Sequence, residues 1–221
     1  MTRLVLLVFA IAIASSASAR ATPGQANVML ARDRDDGVRI ELAEKIGRLL
    51  PSLSAAEQTH LRELTIQAIE ILADDQLPKV RAMLAETLKN ATNVPQPLVL
   101  KLARDAEAIV SVPILEYSPM LSDEDLLSII ESGAFGEPLA AIARRDRVSE
   151  PLSDAIAGTL DEKAVYALLA NPSAQIREET LDMLVEYAPD QIGWHRPLVQ
   201  RPALSVPAIG KIAKFVDRKS T

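Results

Sequence analysis

A motif of 17 residues occurs twice in the first half of the chain and constrains the fold more than any other feature. Residues 30–46 read LARDRDDGVRIELAEKI, and residues 72–88 read LADDQLPKVRAMLAETL. Aligned without gaps, both follow the pattern L-A-x-D-x-x-x-x-V-R-x-x-L-A-E. A motif that recurs every ~20–50 residues is typical of a solenoid, in which each repeat buries its apolar face against its neighbours. The motif therefore predicts the turn and second helix of a repeated helical hairpin.

Weaker copies of the motif follow. LARD recurs at residues 102–105, with Val110 at the same spacing but Ser111 in place of the arginine, and Pro113 should kink or shorten this helix. Residues 169–184 repeat the motif loosely, with Ile-Arg in place of Val-Arg. The copies are 42, 30, 40 and 27 residues apart, measured at Leu30, Leu72, Leu102, Ile142 and Leu169. This spacing predicts an all-α array of about five divergent helical hairpins.

The apolar period, the cap residues and the prolines predict where the helices lie. A Ser54–Glu57 capping box and the acidic start after Ser122 are the clearest helix beginnings. Residues 193–204 contain Pro197 and Pro202 and are expected to be irregular. Helices are predicted over 26–32, 38–50, 54–73, 79–90, 98–104, 122–131, 135–144, 148–158, 161–170, 172–187 and 205–216.

The first 19 residues are typical of a secretory signal peptide. Arg3 supplies a positive charge, residues 4–14 are apolar, and Ala17-Ser18-Ala19 matches a cleavage site. The resulting division is a signal peptide over 1–19, a linker over 20–27, a helical-repeat domain over 28–217 and a polar tail over 218–221. A cleaved leader predicts a periplasmic or secreted protein. The alternatives are an uncleaved leader, which would be the one route to a membrane, or a true start at Met29 in the cytoplasm.

Aspartate and arginine occupy fixed positions in the repeats. Asp33 precedes Arg39 by six residues, and Asp75 precedes Arg81 by six, while Arg177 stands at the matching position of the later copy. An arginine fork can pair with a carboxylate of its own repeat or of the next one. These residues are interpreted as a ladder of pairs that holds the repeats together. A ligand-binding arginine ladder is the alternative.

The spacing resembles that of the HEAT repeat, and the chain from about residue 28 resembles an uncharacterised bacterial family called domain of unknown function 2336. That resemblance implies a HEAT-like α-solenoid and brings no known activity, so no catalytic or binding residue is assigned from it. The order and spacing of seven blocks carry it, and they lie at residues 42–46, 80–88, 97–105, 113–130, 139–156, 168–176 and 197–204.

Residues for catalysis or metal binding are scarce. The chain has no cysteine and two histidines, His60 and His195, neither of which has a partner at metal-ligand spacing. No nucleophile elbow, phosphate-binding loop or dinucleotide fingerprint occurs. The acidic run after Ser122 lacks the pattern of a calcium loop. We therefore expect no cofactor, no metal and no catalytic residue.

A scaffold or adaptor that binds an unidentified protein partner is the predicted function. The net charge of −6 disfavours nucleic acid, whose phosphates require a basic surface. Trp194 and His195 are a possible contact for the partner, and a buried Trp that closes the end of the array is the other interpretation. The alternative function is an enzyme or nucleic-acid-processing protein on the same scaffold, which would need a basic groove holding a buried carboxylate.

Overall fold

The structure, a computed structural model, describes residues 23–49, 59–201, 204 and 209–213. In these ranges the chain is all-α and has no strand, which confirms the predicted class, and one isolated β-bridge joins Val148 and Ala174. The chain divides into two compact units, residues 1–121 and 122–221. The predicted signal peptide, including Ala17 and Ala19, and the Ser54–Glu57 capping box lie outside the described residues.

Unit 1 consists of helical pairs in sequence order. Its helices are α1 (Pro23–Leu30), α2 (Asp36–Leu49), α3 (Thr59–Ala73), α4 (Pro78–Leu88), α5 (Gln96–Ala103) and α6 (Ala108–Tyr117). The first helices of successive pairs pack on one another, α1 on α3 and α3 on α5. The second helices do the same, α2 on α4 and α4 on α6. Each helix also contacts its own partner, so unit 1 has two layers joined by short turns.

Unit 2 follows the same alternation. Its helices are α7 (Asp123–Glu131), α8 (Glu137–Ala143), α9 (Glu150–Gly158), α10 (Glu162–Ala170), α11 (Glu178–Tyr187) and α12 (Ile192–Gln200), with a 3-10 turn at Ala188–Asp190. Helices α8, α10 and α12 pack in one series, and α7, α9 and α11 pack in another.

The repeated apolar residues of the motif form the core of unit 1. Val80, Leu84 and Leu88 of α4 are spaced four residues apart, so they share one face of the helix and are almost completely buried. Leu42 and Ile46 bury the equivalent face of α2. The same motif therefore fills the same layer in each pair, and burying each such side chain contributes roughly 1.5–3 kcal/mol.

The structure corrects the prediction that residues 193–204 are irregular. Helix α12 spans most of this stretch and contains Pro197 in its interior. Pro197 removes a backbone donor, which costs about 3 kcal/mol in a helix. Trp194, Pro197 and Leu198 bury one face of α12, and this burial offsets the cost. Helix α6 likewise continues past Pro113 to Tyr117.

The predicted helix over 172–187 begins only at Glu178. The side chain of Asn171 organises the preceding turn, because its Nδ2 donates to the carbonyls of Ala143 and Arg145, each at 2.8 Å. The N–H of Gln175 donates to the Val148 carbonyl at 2.9 Å. Residues 171–175 therefore hydrogen-bond to a neighbouring loop, and these bonds compete with a helical conformation.

The predicted helix beginning at Ser122 is confirmed. The Ser122 hydroxyl accepts from the Asp125 N–H at 3.2 Å, and the Asp125 carboxylate accepts from the Ser122 N–H at 3.0 Å. This reciprocal pair is a capping box, and it satisfies two donors that a helix start leaves free.

Within the part of the chain that the structure describes, none of the helices combines the length and the apolar content that a membrane span requires.

Candidate functional site

The first rung of the arginine–aspartate ladder connects two helical pairs. Arg39 stands in the first turn of α2, and its Nη1 donates to the Asp33 carbonyl of its own turn at 2.7 Å. Its Nε donates to Oδ2 of Asp75 at 2.5 Å, and its Nη2 donates to Oδ1 of Asp36 at 2.6 Å. Asp75 belongs to the turn of the next pair, so this contact joins neighbouring repeats. The hydrogen bond to Asp75, opposed in part by burial, raises the pKa of Arg39.

The second rung repeats this geometry one pair later. Arg81 donates to the Asp75 carbonyl of its own turn at 2.7 Å and holds both carboxylate oxygens of Asp105, at 2.6 and 3.0 Å. Burial raises the pKa of Asp105. Hydrogen bonds from Arg81 and the Glu107 N–H, together with the charge of Arg81, outweigh burial and hold that pKa below its ordinary value.

Asp105 also belongs to the ladder, although it is not among the ladder residues predicted from the sequence. The spacing left open whether each arginine pairs with its own repeat or with the next one, and the structure gives it the backbone carbonyl of its own turn and the carboxylate of the next turn. The signal was present in the sequence, because LARD at 102–105 places Asp105 where Asp33 and Asp75 stand. The third copy thus supplies an acceptor although Ser111 has replaced its own arginine.

Each aspartate of the ladder also organises its own turn. Oδ1 of Asp33 accepts from the Asp35 N–H, that of Asp75 from the Leu77 N–H and that of Asp105 from the Glu107 N–H, at 2.8–3.0 Å. This local bond to the backbone two residues on is typical of aspartate turns. In Asp75 and Asp105, one carboxylate therefore holds its own turn and also receives the arginine of the preceding repeat.

The guanidinium groups of the ladder are occupied by the protein itself. The side chains of Arg39 and Arg81 are only 13% and 16% exposed, and each donates to a carbonyl and to at least one carboxylate. A groove of about 790 Å³ lies beside the first rung, and its walls include Asp33, Arg39 and Asp75. Because the donors of Arg39 already have acceptors, the geometry favours the pairing role over a ligand-binding ladder.

Arg177 has a different environment. It precedes α11, and its guanidinium binds Glu150 at 3.0 Å and Asp154 at 2.9 Å, both on the earlier helix α9. Its side chain is 48% exposed. Asp154 also accepts from the Thr180 hydroxyl at 2.5 Å. Arg177 thus reaches back to α9 through exposed ion pairs, whereas Arg39 and Arg81 reach forward to the next turn.

Trp194, a possible partner contact by sequence, lies in the core of unit 2. The ring is completely buried against α10, and its Nε1 donates to the Glu162 carbonyl at 3.1 Å. The neighbouring His195 is half-buried, and its Nε2 lies 2.6 Å from the Ala188 carbonyl. A carbonyl can only accept, so this ring nitrogen carries a proton. Both side chains hold α12 in place.

A second arginine site, which the sequence did not indicate, lies after α12 and consists of Arg201 and the backbone carbonyls that it binds. Arg201 donates to four backbone carbonyls at 2.8–3.2 Å, those of Leu168, Leu169, Asn171 and Ala174. It thereby adds donors to carbonyls at the end of α10 and in the turn that follows, and its charge complements the negative end of that helix. Burial lowers the pKa of the guanidinium. No spacing pattern could have signalled this contact, because arginine and acceptors are about 30 residues apart in sequence.

Arg201 also lines a groove of about 340 Å³ between α10 and α12. The described residues around it include no acidic side chain, and they are Tyr166, Leu169, Ala170, Pro172, Arg196, Pro197, Gln200 and Arg201. No cluster of three or more potential metal ligands occurs in the described part of the chain. The side chain of His60 lies outside that part.

Comparison with known proteins identifies one family. Residues 110–219 match the model of a family described as uncharacterised protein conserved in bacteria (DUF2336). The match contains four of the resembling blocks, those at 113–130, 139–156, 168–176 and 197–204, and the three earlier blocks precede it. No curated protein and no solved structure matches the chain significantly. Through residues 110–219, the chain belongs to this bacterial family of unknown function.

Proposed function

We propose that this protein is a non-catalytic scaffold for protein–protein interaction, built as a HEAT-like α-solenoid. The observation that carries the proposal is the packing order of the helices, in which alternate helices form two layers within each unit. Stacked hairpins of this kind present extended surfaces that suit elongated protein partners. The ladder supports the same interpretation, because its arginines bind aspartates of the next repeat and so serve to hold the repeats together.

The composition of the surface supports a protein partner. A chain with a net charge of −6 is poorly suited to nucleic acid. Large apolar side chains are nevertheless exposed in the described part of unit 2, including Phe135 at 76% and Ile192 at 67%. Aromatic residues of this kind are enriched where proteins bind each other. The proposal therefore assigns the exposed face of the repeats to a protein and assigns no catalytic residue.

Site-specific photo-crosslinking in cells tests the scaffold proposal. A photoreactive amino acid would be placed singly at exposed positions of unit 2, including Phe135, Tyr166 and Ile192, with exposed Lys163 and Glu186 as matched polar positions. We expect one partner to be captured at neighbouring positions, and the purified partner to bind the chain at a defined stoichiometry. If every position captures the same abundant proteins, or none captures anything, the scaffold proposal fails.

Export is a separate proposal, which rests on residues 1–19 and the Ala17-Ser18-Ala19 pattern. The intact mass of the chain should be measured in separated cell fractions. A periplasmic chain that begins at Arg20 would support export and direct the partner search to the cell envelope. A cytoplasmic chain that retains Met1 or begins at Met29 would overturn it.

A further inference from the structure

We propose that the groove between α10 and α12 binds an acidic segment of a protein partner through the carboxylates of that segment. The inference rests on the proposed scaffold function and specifies the chemistry of the partner. The groove is defined by Tyr166 and Ala170 on α10, Arg196 and Gln200 on α12, and Arg201 at its end.

The charge of the groove differs from that of the whole chain. The chain as a whole is acidic, with 30 acidic against 24 basic residues, yet two arginines and no described carboxylate line this groove. Arg196 is exposed and makes no ion pair in the described part of the chain. Arg177, also in unit 2, differs because it binds two carboxylates of its own chain. Arg196 therefore has donors available for an acceptor from outside.

Arg201 provides positive charge in a fixed position. Its four bonds to carbonyls hold the guanidinium at the end of α10, and none of these acceptors carries a formal charge. Burial acts on this group without an opposing carboxylate, which is why its pKa falls. An anion in the groove would relieve that cost without breaking the bonds to the backbone.

The shape of the groove and its side chains favour a peptide. The volume of about 340 Å³ is at the small end of ligand sites and accommodates one or two side chains. Arginine pairs with a planar carboxylate through two parallel hydrogen bonds. Tyr166 is 49% exposed on one wall, and Val199 is 55% exposed beside Arg196 and Gln200 on α12. Tyrosine and arginine beside apolar surface are typical of protein-binding hot spots, whereas a nucleic-acid backbone requires a larger basic surface.

Selection from a random peptide library tests the proposal on the full-length chain. The library would be selected against the wild type, the groove variant Arg196→Glu and the matched variant Arg147→Glu. Arg147 is also an exposed arginine of unit 2, but it does not line the groove. Selected peptides would then be titrated against all three proteins, alongside inorganic phosphate and single-stranded DNA.

We expect the wild type and Arg147→Glu to enrich peptides rich in Asp and Glu, and Arg196→Glu to bind those peptides at least about tenfold more weakly, or about 1.4 kcal/mol. Circular dichroism should show that both variants remain folded. Enriched peptides without acidic residues, equal weakening by both variants, or tighter binding of DNA or phosphate would overturn the groove assignment and leave the scaffold proposal standing. If no peptide of any composition is enriched, both proposals are contradicted.

Discussion

The two units of this protein use arginine in opposite ways. In unit 1, Arg39 and Arg81 are nearly buried, and each joins its own turn to the carboxylate of the next repeat. In unit 2, Arg177 lies on the surface with two carboxylates, while Arg201 binds only backbone carbonyls. A motif position alone therefore does not determine the role of an arginine. Arg39 and Arg81 join neighbouring repeats because the turn of the next pair provides an aspartate to each of them.

The turns explain the difference between the units. Asp75 and Asp105 each follow a first helix of a pair and leave a carboxylate oxygen available to the arginine of the preceding pair. After Arg177, the next first helix of a pair is α12, and the residue that follows α12 is Arg201, whose guanidinium can only donate. In the turn of Arg177's own pair, the amide of Asn171 donates to the carbonyls of Ala143 at the end of α8 and of Arg145 in the loop that follows. Neighbouring turns in unit 2 are thus joined by bonds from side chains to the backbone.

The largest effect is expected from Trp194→Ala, which would show how far unit 2 depends on its buried ring. Truncation leaves a cavity and removes the hydrogen bond to the Glu162 carbonyl, so we expect the free energy of unfolding to fall by about 3–5 kcal/mol. Hydrogen exchange followed by mass spectrometry should show lost protection in peptides from α10 and α12, and little change in peptides from α3 and α4. Ile192→Ala on the same helix is the control, because Ile192 is 67% exposed. Equal losses from the two variants would contradict the assigned role of Trp194.

A smaller effect is expected from Arg81→Ala, which removes one rung of unit 1. The change removes the arginine from the Asp105 carboxylate and the side-chain donor from the Asp75 carbonyl, so we expect a loss of about 2 kcal/mol in urea unfolding. Lys79→Ala is the matched control, because Lys79 is an exposed cation on the same helix. In a double-mutant cycle, Arg81→Ala combined with Asp105→Asn should cost less than the sum of the single changes. Additive costs would mean that the two side chains do not interact.

The pH dependence of the same rung should be smaller still. The pKa of Asp105 lies below its model-compound value of 3.8 in the folded chain, so the folded state favours the ionised carboxylate. Its contribution to stability is then present above roughly pH 4 and is lost as the pH falls through the folded pKa. The stability difference between wild type and Asp105→Asn, measured by urea unfolding, should be constant from about pH 5 to 7 and shrink below about pH 4. A difference that grows on acidification would contradict this assignment.

The smallest effect is expected from Arg177→Ala. Solvent and ions screen exposed pairs, so the midpoint of urea unfolding should move less than for Arg81→Ala. Raising the salt concentration to about 1 M should abolish the effect of Arg177→Ala and preserve most of the effect of Arg81→Ala, because screening acts mainly on exposed charges. If both variants respond to salt equally, the contrast between the units does not hold.

Sequence patterns predicted the regular parts of the fold well, for identifiable reasons. The predicted helix over 161–170 corresponds to Glu162–Ala170, because Asp161 provides a cap and the apolar period is clear. The predicted helix over 79–90 corresponds to Pro78–Leu88, because Pro78 fits the first turn. Local propensity failed at α12 and at residues 171–177, where burial of Trp194 and the bonds of Asn171 outweigh it.

The candidate sites divide in the same way. The positions of Asp33, Arg39, Asp75 and Arg81 were evident from the repeat, but the pairing of each arginine with the next turn was not. The arginines of the groove gave no sequence signal, because Arg201 acts on carbonyls about 30 residues before it. The exposure of Trp194 was also undetermined, since the same residue suits a core or an interface.

The sequence by itself determined the all-α class, the repetition of the motif and the positions of most helices, because apolar periodicity and cap residues act over a few neighbouring positions. Only the tertiary structure decided which carboxylate each arginine binds, which backbone carbonyls need a donor and whether Trp194 is buried. These outcomes depend on contacts between residues far apart in the chain, and the packing of one helical pair on the next brings those residues together.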